Sequence, residues 1–249
     1  MVRPKKKLGQ HFLTDEFIAQ KITGSLKAES TNLVIEVGPG KGVLTKFLLK
    51  EIHQDFLAVE IDRESVEYLE ENFPEIRGKI IEADFLGLNL PELADRISII
   101  GNFPYNISSQ IFFHVLQNRT HVDEVVCMIQ KEVAQRIAAP PGSKTYGILS
   151  VFLQAWYDIK LLFNVNPGSF FPPPAVKSSV IRLVRNKRET LECDEKLFMR
   201  VVKMAFNQRR KVLRNSLKSI LLNLDDDPVW TLRPEQLGVE DFIRLTRKF

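Results

Sequence analysis

Four polar side chains fall at or near the ends of four successive apolar runs in the first half of the chain: Glu36, Glu60, Asp84 and Asn102. Directly after the first comes Gly38-Pro-Gly40-Lys-Gly42. Glycines at a strand-to-helix turn let a ligand approach backbone that a side chain would block. The spacing G-x-G-x-G is not the dinucleotide fingerprint G-x-G-x-x-G, because position 43 is Val43, so no pyrophosphate cradle is expected. A carboxylate placed as Glu60 is can accept both hydroxyls of a ribose. Asp84 could read an exocyclic adenine amine. Singly, each is as often plain architecture, a helix cap or a solvated strand end. In register they share the crevice where open α/β sheets bind ligands.

Together these residues describe an adenosine-containing ligand with no pyrophosphate to hold, and S-adenosylmethionine meets that description. The fourth run leads into Gly101-Asn102-Phe103-Pro104-Tyr105-Asn106. Most N-x-P-Y tetrapeptides are proline turns, but this one sits beside the expected cofactor, where it fits a difficult nucleophile. An adenine amino nitrogen delocalises its lone pair into the ring and attacks a methyl sulfonium poorly. The Asn102 side-chain oxygen and a backbone carbonyl at Phe103 or Pro104 could accept its two N–H groups and aim the lone pair at the methyl group. Tyr105 could stack on the base. Ser169-Phe170-Phe171-Pro172-Pro173-Pro174 offers a second wall, stiffened by its prolines. There Phe170 is expected in the site and Phe171 in the core.

These residues need a scaffold that holds them at one edge. Strand-like runs at 33–37, 56–60, 79–83, 97–100 and 123–129 alternate with helical patterns at 43–52 and 64–73, which argues for a parallel sheet covered on both faces. Residues 161–166 and 178–184 read as a closing pair of strands. The composition changes near Asn186, after which no strand pattern occurs. Leu197, Val201, Val202, Phe206, Leu213, Leu217, Ile220 and Leu221 follow an approximate helical stripe. Gln208-Arg-Arg reads as a turn, and a last helix follows Gly238. The expected fold is α/β: a Rossmann-like sheet domain over residues 1–186 and a small all-helical domain over 187–249.

Composition narrows the class. The 249 residues are 44% hydrophobic, which excludes a collagenous or wholly disordered chain. No apolar run approaches the roughly 18 to 20 residues that span a bilayer, so no membrane partner is expected. Two cysteines cannot build a disulfide framework or a cysteine zinc site, and no metal is expected. The N-terminus lacks a secretory pattern, and a cytoplasmic protein is expected. The 35 Lys and Arg outnumber the 31 Asp and Glu, but their placement says more than their sum. Lys5, Lys6 and Lys7 form one basic cluster. Between residues 200 and 218 lie seven bases and no acid, among them Arg209, Arg210, Lys211 and Arg214. Two separated clusters suit a phosphate backbone.

These pieces resemble the small-subunit ribosomal RNA adenine dimethyltransferases, the KsgA family. The resemblance is carried, in order, by Lys7-Leu-Gly-Gln-His-Phe-Leu13, the EVGPGKG loop, Val59-Glu-Ile-Asp62, Ala83-Asp-Phe-Leu86, NFPYNIS, Gln130-Lys-Glu-Val-Ala-Gln-Arg136, FFPPPAVKSS and the segment from Phe206 to Leu217. It implies transfer of four methyl groups, two to each of two adjacent adenosines near the 3′ end of the small-subunit rRNA. It also implies a role in small-subunit maturation, with the immature subunit as partner of a monomeric enzyme. By the same resemblance His11 and Leu13 contact the methionine end of S-adenosylmethionine and Gly38 and Gly40 form the loop. Glu60 takes the ribose hydroxyls, Asp84 the adenine amine, and Asn102 meets cofactor and target, while Tyr105 and Phe170 sandwich the base. The family often carries Asn where this chain has His11, and an aliphatic residue where it has Phe103.

Two other readings share some of these features. The macrolide-resistance type of large-subunit rRNA adenine methyltransferase shares the loop and the N-x-P-Y idea, but Leu8-Gly-Gln and the segment from Arg209 to Leu217 favour the small-subunit reading. A non-catalytic assembly factor would use the basic tail, but would not need EVGPGKG, Asp84 and Asn102.

Overall fold

The computed structural model describes residues 2–5, 8–221 and 225–249. Among the described residues nine strands follow in chain order: β1 (Phe12–Leu13), β2 (Leu33–Val37), β3 (Asp55–Glu60), β4 (Ile80–Glu82), β5 (Ile97–Asn102), β6 (Val122–Gln130), β7 (Tyr157–Val165), β8 (Phe170–Phe171) and β9 (Ser178–Arg185). Seven of them form one mixed sheet in the order β4-β3-β2-β5-β6-β9-β7. The first five run parallel and β9 is antiparallel to β6. β1 and β8 form a separate antiparallel pair, with Phe12 opposite Phe171 and Leu13 opposite Phe170.

The sequence explains this order. All five residues of β2 are buried, as expected of a central parallel strand covered on both faces, whose sequence is a continuous apolar run rather than an alternating one. The chain steps outward from β2 to β3 and β4, then crosses back to place β5 and β6 on the other side of β2. The order therefore reverses between β2 and β5, and open α/β sheets form their ligand crevice at that point. The connecting helices start where acids can satisfy free amides: Asp15 caps Glu16–Thr23 through the amide of Ile18, and Asp62 caps Arg63–Asn72 through that of Glu64. Val34, Ala58, Ile100 and Val126 from the strands share one core with Ile22, Leu48 and Leu69 from the helices.

Three boundaries depart from the sequence reading. β5 runs on to Asn102 and so carries that amide at the sheet edge. β4 stops at Glu82, so Asp84 does not end a strand; its carboxylate caps the 3₁₀ turn Phe85–Gly87 through the amide of Leu86. β7 begins at Tyr157, ahead of the expected 161.

The chain divides into two compact units, one of residues 1–134 and 159–185, the other of 135–158 and 186–249. Residues 135–158 thus share a unit with the tail from 186 onward, where the sequence reading sets 1–186 apart from 187–249. The reason is the helix Ile148–Trp156, seven of whose nine residues are buried. A helix apolar nearly all round needs helical neighbours, and inside this unit Phe152 meets Phe198 with ring centres 6.1 Å apart. The same unit holds a chain of rings from Tyr146 to Phe206 to Phe242, and its helices Glu195–Asn207 and Val239–Thr246 fall where the tail's apolar stripe and Gly238 predict them. Among the described residues no helix is long and apolar enough to cross a membrane, and no group of three or more His, Cys, Asp or Glu could hold a metal ion.

Candidate active site

At the reversal point lies a cleft of about 670 Å³, part of it open to solvent, within the roughly 300–1,000 Å³ usual for small-molecule sites. The loop after β2 forms its floor. Gly38 and Gly40 both adopt left-handed backbone, φ +68° and +57°, where a side chain costs roughly 1–2 kcal/mol. A Cβ on Gly40 would also lie 2.9 Å from ring carbons of Phe12. Gly38 lines the cleft, and a Cβ there would meet nothing within 4 Å, so its backbone is bare toward the space a ligand would fill.

Two buried acids lie under this loop. Glu60 Oε2 accepts from the amide of Gly40 and Oε1 from that of Asp62, both at 3.0 Å. Burial pushes its pKa up while these amides pull it back. Each oxygen keeps a second lone-pair site, so the pair of ribose hydroxyls expected at Glu60 can still be accepted. Glu36, placed ahead of the glycine loop by the sequence but given no contact of its own there, lines the cleft. It is 1% exposed, accepts from the Thr45 hydroxyl at 2.7 Å, and has its pKa raised to about 8, chiefly by burial. Ile61, 52% exposed although apolar, also lines the cleft. Its signal was available: it directly follows Glu60. Bare glycine backbone, a ribose-type carboxylate and a second acid suit a cationic adenosine derivative such as S-adenosylmethionine. His11, Leu13, Gly38, Gly40, Glu36 and Glu60 line the space such a cofactor would occupy. Asp84 is exposed and does not line it.

Across the cleft the N-x-P-Y turn is held by the N-terminal arm. The Asn102 Nδ2 donates to the His11 carbonyl at 2.8 Å. A carbonyl can only accept, so this contact fixes which end of the amide is which and leaves Oδ1 as the acceptor. The Pro104 carbonyl already accepts from the amide of Ile107. Of the two backbone carbonyls considered, Phe103 is the one to which no amide donates among the described residues. The Phe103 ring is buried against Phe112, with centres 6.0 Å apart, so it acts through its backbone. The Tyr105 hydroxyl meets the Ser178 Oγ at 2.5 Å. Its ring stacks on His11, centres 5.4 Å apart and planes 28° from parallel. Burial raises the Tyr105 pKa, so it is a neutral phenol at neutral pH. His11 donates from Nδ1 to the Pro172 carbonyl at 2.8 Å, which fixes the ring's orientation.

Four further expectations are corrected. Phe170 is 4% exposed and belongs to the core cluster, whereas Phe171 is 58% exposed. Successive residues of β8 point to opposite faces, and pairing with Leu13 turns Phe170 inward. Phe170 is thus not a wall of the cleft, and Phe171 is not core. Lys5 is not a free phosphate ligand: its ammonium lies 2.5 Å from Asp62 and 3.0 Å from Glu64, and with Gln10, which donates to Asp62, it ties the arm to the loop after β3. Arg209 donates to the carbonyls of Ser143 and Lys144 and faces Glu235, so it braces its own unit. Arg210, Lys211 and Arg214 are exposed. Lys6 and Lys7 lie outside the described residues.

The model of the ribosomal RNA adenine dimethylase family matches residues 1–227. The chain belongs to that family. A protein of Parabacteroides distasonis named ribosomal RNA small subunit methyltransferase A is 55% identical over 250 residues, 99% of this chain and 94% of that one. A protein of the same name from Porphyromonas gingivalis is 54% identical over 251 residues, 98% of this chain and 97% of that one. Among solved structures, a dimethyladenosine transferase from Plasmodium falciparum superposes with a TM-score of 0.78 at 23% identity, covering 94% of this chain and 96% of that one. The 23S rRNA methyltransferase ErmE superposes at 0.70, also at 23% identity, over 95% of this chain and 98% of that one. At that identity both bear on the fold alone, and the fold is that of S-adenosylmethionine-dependent methyltransferases. As a member of the adenine dimethylase family the protein is an rRNA methyltransferase using S-adenosylmethionine.

Proposed function

We propose that the protein dimethylates the exocyclic N6 amines of two adjacent adenosines near the 3′ end of the 16S rRNA, acting as a monomer on the immature small subunit in the cytoplasm. The observation that carries this reading is the Asn102 amide, anchored through Nδ2 on the His11 carbonyl with Oδ1 left to accept. Bound over the glycine loop, S-adenosylmethionine supplies an electrophilic methyl group on a positively charged sulfur. Glu60 would hold its ribose, and the backbone at His11 and Leu13 its methionine end. Asn102 Oδ1 and the Phe103 carbonyl accept the two N–H groups of the target amine. That turns the nitrogen lone pair out of conjugation with the ring and toward the methyl group. Tyr105 stacks on the base, held at its angle by Ser178 and His11. No base is needed before attack, because the product ammonium is acidic and loses its proton afterwards. After one transfer the amine still has one N–H for Asn102, which supports a second round in the same site. Arg210, Lys211 and Arg214 in the tail over 187–249 contact the RNA backbone.

The test is to supply labelled methyl donor and both ribosomal subunits from cells lacking the gene. Label as dimethyladenosine in the small-subunit RNA is expected, and label only in the large-subunit RNA would overturn the reading. Asn102→Ala should lower turnover by about 10²–10³-fold while still binding the subunit; unchanged turnover would remove its assigned role.

A further inference from the structure

We infer that Phe171, Lys131 and Lys177 form a docking strip for the single-stranded RNA that flanks the target adenosine. The inference rests on the rRNA reading above and extends it to residues outside the cleft. Phe171 is 58% exposed, on a short strand whose other residue is buried. It precedes Pro172, whose carbonyl fixes His11, and His11 stacks on Tyr105. An exposed ring is thereby held on a proline-stiffened loop next to the wall that faces the target base.

The two lysines are linked to Tyr105 through its hydroxyl. The Tyr105 hydroxyl bonds Ser178, Lys177 directly precedes Ser178, and the Lys131 amide donates to the Lys177 carbonyl at 2.9 Å. Gln130 pairs with Ser178 in the sheet, so both lysines sit at the edge that carries the site. Among the described residues neither ammonium has an ion pair or hydrogen bond, and the neighbouring Glu132 is already partnered. Lys5 and Arg209, by contrast, are spent on internal contacts. Free cations and an exposed ring, each linked to Tyr105, suit a strand whose bases are unstacked and whose phosphates run alongside.

The experiment compares Phe171→Ala, Phe171→Leu, Phe171→Tyr and the double variant Lys131→Gln/Lys177→Gln. Readouts are KM and kcat on small subunits, binding of protein-free small-subunit RNA against salt, and affinity for S-adenosylhomocysteine. Loss of one stacked base should weaken RNA binding roughly 5- to 150-fold in Phe171→Ala and Phe171→Leu, with Phe171→Tyr close to wild type. The double lysine variant should flatten the slope of log affinity against log salt by about 1.4, at roughly 0.7 per phosphate on a single strand. Melting temperature and S-adenosylhomocysteine affinity should not move, because all three side chains lie outside the core. Unchanged KM and salt slope in variants of an enzyme that methylates normally would overturn the strip. So would losses seen on assembled subunits but not on protein-free RNA, which would assign the contact to a ribosomal protein. A wild-type enzyme that leaves small-subunit RNA unmethylated would instead overturn the proposed function, while the RNA-binding arm still judges the strip.

Discussion

Glu36 lies beneath the glycine loop at 1% exposure, its pKa raised from the ordinary 4.5 to about 8 by burial, helped by repulsion from Glu60 and opposed by the Thr45 hydroxyl. In the ligand-free protein at neutral pH it holds its proton, while in the unfolded chain it does not. A group with a raised folded pKa contributes stability that is full below its unfolded pKa and lost as pH climbs through the folded one. At about 1.4 kcal/mol per pH unit, the ligand-free fold loses about 4 kcal/mol between pH 4.5 and 8 through this residue. A cation in the cleft reverses the preference, since it favours the ionised carboxylate and binding then releases a proton. If Glu36 is ionised throughout the complex, Kd falls about 50-fold from pH 6 to pH 8 and levels off above. Calorimetric titration with S-adenosylmethionine in buffers of different ionisation heat measures both the slope and the released proton. Methylthioadenosine, which lacks both positive charges, should show no slope. Glu36→Gln should remove the slope for S-adenosylmethionine and melt higher than wild type at pH 8. A slope that persists in Glu36→Gln, or that appears with methylthioadenosine, would refute the reasoning.

Gly40→Ala should bind S-adenosylhomocysteine at least tenfold more weakly and melt lower, since its Cβ would press on Phe12 from a left-handed backbone; unchanged affinity would show that the loop adapts. Phe170→Ala should cost about 3–5 kcal/mol of stability as a core truncation, with Phe170→Leu keeping turnover. Loss of kcat without loss of stability would return that ring to the site. Arg209→Gln should lower the melting temperature, because the carbonyls of Ser143 and Lys144 lose their donor. Arg210→Gln should leave melting unchanged and flatten the salt dependence of RNA binding by about 0.7–0.9; the opposite pattern would exchange their roles.

The parallel strands and the polar residues after them were legible because both signals are local. A buried central strand is a continuous apolar run, as in β2, and a strand-to-helix turn that must leave backbone bare is written in glycine, as at Gly38 and Gly40. Asn102 and Glu60 were found for the same reason: each closes such a run. Asp84 was misplaced as a strand end because β4, paired on one side through only three residues, stops where its pairing stops.

What the linear chain could not reveal depends on partners far away in sequence. Which of Phe170 and Phe171 faces the core is set by pairing with Leu13 and Phe12, more than 150 positions earlier; a shift of one residue would exchange them. Lys5 and Arg209 read as free charges until folding brings Asp62 and Glu64 to the one and the Ser143 and Lys144 carbonyls to the other. The raised pKa of Glu36 likewise exists only once the sheet and its covering helices exclude water from around it. Residue type and spacing settled the chemistry this chain can perform; burial and long-range pairing settled which copies of each residue type are free to perform it.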